Sequence, residues 1–138
     1  MSIFISYAPK ASDIANEIAF KLQNLNYEIS IDRTKEKAVW SVDDFKRISK
    51  EVLTSSLFIC FVDKEYAAAK NSKTELSFAC SQKSKVLPIM LEKDIAPGVD
   101  SLLIKFNKFH AYKNPDIYES WPQELFNELV EAIKLNIG

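Results

Sequence analysis

Residues 56–62, "SLFICFV", are the segment that most constrains this chain. Six of its seven residues are apolar, β-branched or aromatic, with none of the alternation that a half-solvated strand shows. Such a run is a strand covered on both faces, and strands of that kind belong to parallel sheets flanked by helices. The rest of the chain supplies the flanks. "SIFISY" (2–7) is a first short strand, followed by the turn-forming "APKAS". Ser12 is placed to cap a helix carrying Ile14, Ile18, Leu22 and Leu25 at helical spacing, and Asn26 suits the left-handed position past its end. "YEISID" (27–32) alternates into a second strand, and a charged loop, "RTKEKAVW", follows.

Ser41 and Asp44 have capping-box spacing before a helix with Phe45, Ile48 and Val52 on one face. After the central strand, "YAAAKNSKTELSFA" (66–79) leads into a third helix. "KVLPIML" (85–91) is a fourth strand in which Pro88 implies a position near the strand end or at a sheet edge. "DIAPGVD" reads as a turn and "NKFHAY" (107–112) as a fifth strand. Ser120, Pro122 and Gln123 open a last helix bearing Leu125, Phe126, Leu129, Val130 and Ile133, which Trp121 packs. Strands alternating with helices predict a flavodoxin-like open parallel sheet of five strands, order 2-1-3-4-5, with helices on both faces. A single domain over 1–138 is expected.

Composition narrows function by exclusion. The chain has 18 Lys+Arg against 19 Asp+Glu and a formal net charge of −1, so nothing in its bulk electrostatics recruits nucleic acid. Gly98 and Gly138 are its two glycines, too few for a dinucleotide fingerprint or a phosphate-cradling loop. His110 is its one histidine and has no second ligand at metal spacing, so no metal site is expected. Cys60 and Cys80 read as reduced core thiols. The opening residues lack a signal-peptide pattern and no apolar run approaches a membrane span. The expectation is a cytoplasmic domain without a membrane partner.

Glu75 admits two readings. Ser72 and Glu75 stand in S-x-x-E spacing, where the serine caps a helix and the glutamate returns to its N–H; a carboxylate in a first helical turn also suits the macrodipole. The other reading gives Glu75 a chemical role, and it comes from the ensemble of motifs. "IFISYAPKASDIANEIAFKL", "YEISID", a loop ending in Trp40, "FICFVDKEYAAAKNSKTEL" and "VLPIML", in that order, resemble a TIR (Toll/interleukin-1 receptor) domain. Phe4 to Tyr7, Asp13, Asp32, Trp40, Tyr66, Glu75–Leu76 and Val86 to Ile89 fall where that family's pattern places them, so the likeness spans essentially the whole chain.

The resemblance implies two functions of different class. One branch of the family comprises NAD+ glycohydrolases active on self-association, whose catalytic glutamate matches Glu75, nine residues after Tyr66. NAD+ is then the substrate and no separate cofactor is implied. Ser6, Tyr7 and Ala8 would border the nucleotide, with Asp32, Trp40, Tyr66 and Asn71 as further substrate-binding candidates. The other branch comprises non-catalytic modules that bind other TIR domains, in which Glu75 is only a capping partner. Either implies homotypic TIR partners and immune or defence-type signalling. The chain departs from the hydrolase pattern at Asn71, where a tryptophan is common, in a loop (33–40) without glycine, and at Asp63, where a serine is often found. A flavodoxin-like receiver is disfavoured, because the basic "YAPKAS" turn lacks an acidic cluster.

Overall fold

The computed structural model describes residues 1–31 and 41–137. Its strands are β1 (Ser2–Ser6), β2 (Glu28–Ile31), β3 (Leu57–Val62), β4 (Val86–Met90) and β5 (Phe109–His110). All pair in parallel, in the order β2-β1-β3-β4-β5. The helices are α1 (Ser12–Asn24), α2 (Val42–Thr54), α3 (Lys64–Ala68), α4 (Lys70–Ser81), α5 (Pro97–Leu103) and α6 (Gln123–Ile137). This is the flavodoxin-like doubly wound arrangement that the sequence predicts.

Period two divides β1, β3 and β4 between two cores. Ile3, Ile5, Leu57, Ile59, Phe61, Leu87 and Ile89 face α1 and α6, meeting Ile14, Ile18, Leu22, Leu129 and Ile133. Phe4, Phe58, Cys60, Val62, Val86 and Met90 face the other way, onto Ile48 and Val52 of α2, Leu76 and Ala79 of α4, and Val99 and Leu103 of α5. All six residues of β3 are buried, as a strand central to both cores must be. Trp121 joins the first core, stacked on Phe109 at 5.9 Å, with its indole N–H donating to the Ile117 carbonyl.

Several local expectations shift. Ser12 does not cap α1, because a 3₁₀ turn (Pro9–Ala11) runs straight into the helix and the cap position is Ala11. Asn26 takes the left-handed conformation, φ 71°, as expected. Segment 94–100 is only partly a turn: Pro97 opens α5, whose Val99 and Leu103 reach the core. The fifth strand shrinks to Phe109–His110 and gives way to a 3₁₀ turn at Ala111–Lys113. Phe45 stays 44% exposed, edge-on to Phe78, so the apolar face of α2 is narrower than its sequence implies.

Pro88 lies in the middle of β4, between β3 and β5, and not at an edge. The Leu91 N–H donates to Val62 and the Lys85 carbonyl accepts from Phe58, so the odd-numbered residues of β4 serve β3. The Pro88 nitrogen therefore points toward β5, whose two residues pair only with Ile89 and Met90. The missing donor falls where the ladder has not begun.

The capping box that opens α2 is formed as expected: the Asp44 N–H donates to Ser41 Oγ (3.1 Å) and the Ser41 N–H to Asp44 Oδ2 (3.0 Å). Ser41→Ala is expected to cost about 0.5–2 kcal/mol, measured by chemical denaturation, with no change in the fold.

Candidate functional site

In a parallel sheet the helices run back against the strands, so the N-terminus of α4 overhangs the carboxyl ends of β1 and β3. The buried stripe of α4 is Ser72, Glu75, Leu76 and Ala79. Its apolar half covers the sheet and its polar half lies over the strand ends. β1 meets it in kind. Ser6 shares a strand face with Phe4 and Ala8 and is itself fully buried. A hydroxyl in that position requires partners.

It has two. Ser6 Oγ donates to Glu75 Oε1 at 2.6 Å, within the range of short charge-assisted bonds to a carboxylate. Ser6 Oγ also lies 2.8 Å from Tyr66 Oη. A serine hydroxyl has one proton, and here it is directed at Glu75, so Tyr66 is the donor to Ser6. Burial raises the Tyr66 pKa well above its ordinary value, which keeps that phenol protonated. The result is a directed chain, Tyr66 O–H to Ser6 O–H to the Glu75 carboxylate. Glu75 is 1% exposed and Tyr66 is enclosed.

The Ser72–Glu75 capping reading does not survive. α4 begins at Lys70, its cap position is Ala69 with no side-chain bond, and its first turn holds no acidic residue. Ser72 Oγ donates to the Tyr7 carbonyl at 3.1 Å, pinning α4 to the end of β1. Glu75 falls in the second turn, beyond the strongest reach of the helix dipole. The helix starts early because Ala69 is the single extended residue between α3 and α4, and its carbonyl already accepts from Lys73.

Of the residues singled out in the sequence, Ser6, Tyr66 and Glu75 come together directly. Ala8 is buried on the same face of the sheet, whereas the Tyr7 side chain lies in the opposite core and meets this side only through its carbonyl, which accepts from Ser72. Asn71 is half-buried on the first turn of α4. Asp32 and Trp40 lie outside the described residues. Burial raises the pKa of both Cys60 and Cys80, so neither is an activated thiol. Among the described residues no group of three His, Cys, Asp or Glu side chains is gathered as for a metal ion. Nor is any helix among them long and apolar enough to cross a membrane.

Sequence reasoning missed a second cluster beside the first. Asp63 caps α3, its Oδ1 accepting the Tyr66 N–H at 2.7 Å. An aspartate directly after an apolar strand run is a recognisable cap signal. Tyr118 Oη lies 2.9 Å from Asp63 Oδ2 and 3.2 Å from Glu92 Oε1, and Glu92 Oε1 accepts the Lys64 N–H at 3.0 Å. Lys10 Nζ sits over the Tyr118 ring, 4.6 Å from its centroid. No local signal points to Tyr118, which is 55 residues from Asp63.

Burial raises the Asp63 carboxyl above its ordinary 3.8, reinforced by Glu92 and Glu65 and opposed by its hydrogen bonds from Tyr66 and Tyr118. The folded state then holds this proton more tightly than the unfolded chain. That stabilisation is fully present below the unfolded value and is lost as pH rises through the folded one. Asp63→Asn, neutral throughout, is expected to gain melting temperature relative to the parent as pH rises from about 3 to about 8. A difference that stays flat across that range would contradict the raised carboxyl.

A five-stranded doubly wound sheet with a buried polar cluster at the carboxyl ends of its strands is an open α/β fold of the class in which ligands gather at that edge. The chain belongs to the TIR domain family, matching it over residues 3–130. Among solved structures it is similar to the TIR domain of the Toll-related receptor TRR-2 from Hydra magnipapillata (14% identity, 96% of this chain and 97% of that one, TM-score 0.66). It is also similar to the TIR domains of the activated Roq1 resistosome recognising the effector XopQ (13% identity, 96% and 98%, TM-score 0.68). A third similar structure is the Clostridium botulinum CMP N-glycosidase BcmB (14% identity, 94% and 99%, TM-score 0.64). Among curated proteins none matches the chain. At these identities the structural likenesses show the fold.

Proposed function

We propose that this TIR domain is an NAD+ glycohydrolase acting in defence-type signalling, with Glu75 as its catalytic carboxylate. The observation that carries the reading is the hold on Glu75. It is no helix cap; Ser6 orients it at the carboxyl edge of the sheet, where ligands of this fold class gather. Heterolysis of the nicotinamide–ribose bond sends the bonding pair to the pyridinium nitrogen and releases neutral nicotinamide. Positive charge develops on the ribose, and an oriented anion stabilises it. Water then adds to the sugar carbon and loses a proton, giving ADP-ribose. Tyr66 donates to Ser6 and Ser6 to Glu75, so the chain of hydroxyls fixes the orientation of that side chain at the strand ends. Ser6, Tyr7 and Ala8 border the nucleotide in this reading, with Asn71, Asp32 and Trp40 as further contacts. The CMP N-glycosidase among the similar structures is named for cleaving an N-glycosidic bond of the same general kind.

Glu75 is 1% exposed, so substrate reaches it only when its surroundings shift. Assembly with other TIR domains is the proposed trigger. The test is release of nicotinamide from NAD+ at high protein concentration, with CMP as a parallel substrate. Concentration-dependent nicotinamide release supports the reading; cytosine release from CMP alone would replace the substrate; release of neither would remove the activity.

A non-catalytic interaction module is the second reading, and one surface feature favours it. A groove of about 490 Å³ between α2 and α4 is lined by Phe45, Phe78, Lys70 and Lys73 among others. Val42, at the start of α2, is 70% exposed. Oligomers without nicotinamide release are the outcome this reading expects.

A further inference from the structure

We propose that Asp63, Tyr118 and Glu92 form a positioning clasp for the Glu75 site, holding α3 so that Tyr66 meets Ser6. Three elements meet in it: Asp63 closes β3, Glu92 follows β4, and Tyr118 comes from the connection before α6. Two of them satisfy N–H groups at the start of α3, Glu92 that of Lys64 and Asp63 that of Tyr66. α3 has five residues, too few to hold its own direction, so these contacts set where it points. From the same Tyr66 whose N–H is held by Asp63, the phenol reaches Ser6, and Ser6 reaches Glu75. Moving the first turn of α3 therefore moves the far end of the chain of hydroxyls.

Tyr118 joins the two carboxyl groups. Its single proton serves one of them, and the second contact is complete when Asp63 carries a proton on Oδ2. Asparagine reproduces that state: its carbonyl accepts from Tyr66 and its amide donates to Tyr118, while Tyr118 donates to Glu92. Asp63→Asn is thus the conservative variant and Asp63→Ala the disruptive one. Tyr118→Phe removes one hydroxyl and leaves the ring beneath Lys10.

The clasp rests on the glycohydrolase reading for its catalytic consequence but not for its geometry, and the experiment keeps these apart. In the full chain, kcat and KM for nicotinamide release are measured for the parent and the three variants. The titration of the Glu75 carboxyl is followed by ¹³C NMR in the same proteins. Asp63→Ala and Tyr118→Phe are expected to lower kcat on the order of tenfold with KM little changed, since small misplacements of a reacting group cost rate. They shift the Glu75 titration as well, and Asp63→Asn restores both. If the parent releases no nicotinamide, the glycohydrolase reading fails and the titration alone judges the clasp. A Glu75 titration unmoved in Asp63→Ala and Tyr118→Phe overturns it. So does a loss that tracks melting temperature and is not rescued by Asp63→Asn. Should Asp63→Ala fail to fold, Tyr118→Phe decides.

Discussion

Glu75→Gln is expected to lower nicotinamide release by about two to three orders of magnitude while leaving the fold and its melting temperature nearly intact. The amide keeps the shape of the carboxylate, and its oxygen still accepts from Ser6, so the 2.6 Å contact has a neutral counterpart. Only the charge is gone, and charge is what the developing ribose cation needs. Glu75→Ala is the poorer probe. It leaves the Ser6 hydroxyl, fully buried, without the acceptor toward which its proton points. An orphaned buried donor costs about 1–3 kcal/mol, before counting the cavity. A loss of activity in the alanine variant would therefore mix chemistry with unfolding. Retained release in Glu75→Gln, with assembly unaltered, would remove the charge from the mechanism.

Phe58→Ala is expected to cost about 3–5 kcal/mol, read as a lowered urea midpoint with little change in slope. Phe58 is 1% exposed in the central strand and stacks on its register partner Phe4, ring centroids 5.5 Å apart. Around this pair lie Ile48 and Val52 of α2 and Leu76 of α4, so the cavity opens beneath the helix that carries Glu75. A domain of this size is stable by only about 5–15 kcal/mol, so the loss is a large share of the total. Release of nicotinamide should fall in proportion to the unfolded fraction and recover on cooling. A variant that stays fully folded yet loses activity would show that this core positions α4 more finely than it stabilises it.

Much of the fold is legible in local pattern. The run at 57–62 reads as a doubly covered strand and the spacing of Ile14, Ile18 and Leu22 as a helix, and both form. Both signals are short-range, because burial periodicity follows backbone geometry. Ser41 with Asp44 and the left-handed Asn26 were readable for the same reason. Local reading went astray where a neighbouring element competed for the same groups. Ser72 has cap spacing, yet α4 starts earlier and the hydroxyl goes to Tyr7. Pro88 reads as an edge residue, yet it is tolerated inside the sheet because β5 is so short.

The site divides along the same line. Motif order and the interval from Tyr66 to Glu75 mark that glutamate in the sequence, and the resemblance to the family singles out Ser6. What ties them is a hydrogen bond between residues 69 apart, and what braces Tyr66 comes through Asp63 from Tyr118, 55 residues beyond it. The sequence by itself pointed to the family and the strand order, and singled out Glu75 as the candidate carboxylate. Only the tertiary structure decided that this carboxylate is a buried, oriented acceptor and not a helix cap. A hydroxyl's partner depends on which groups the packed sheet brings within about 3 Å, and no spacing along the chain encodes that.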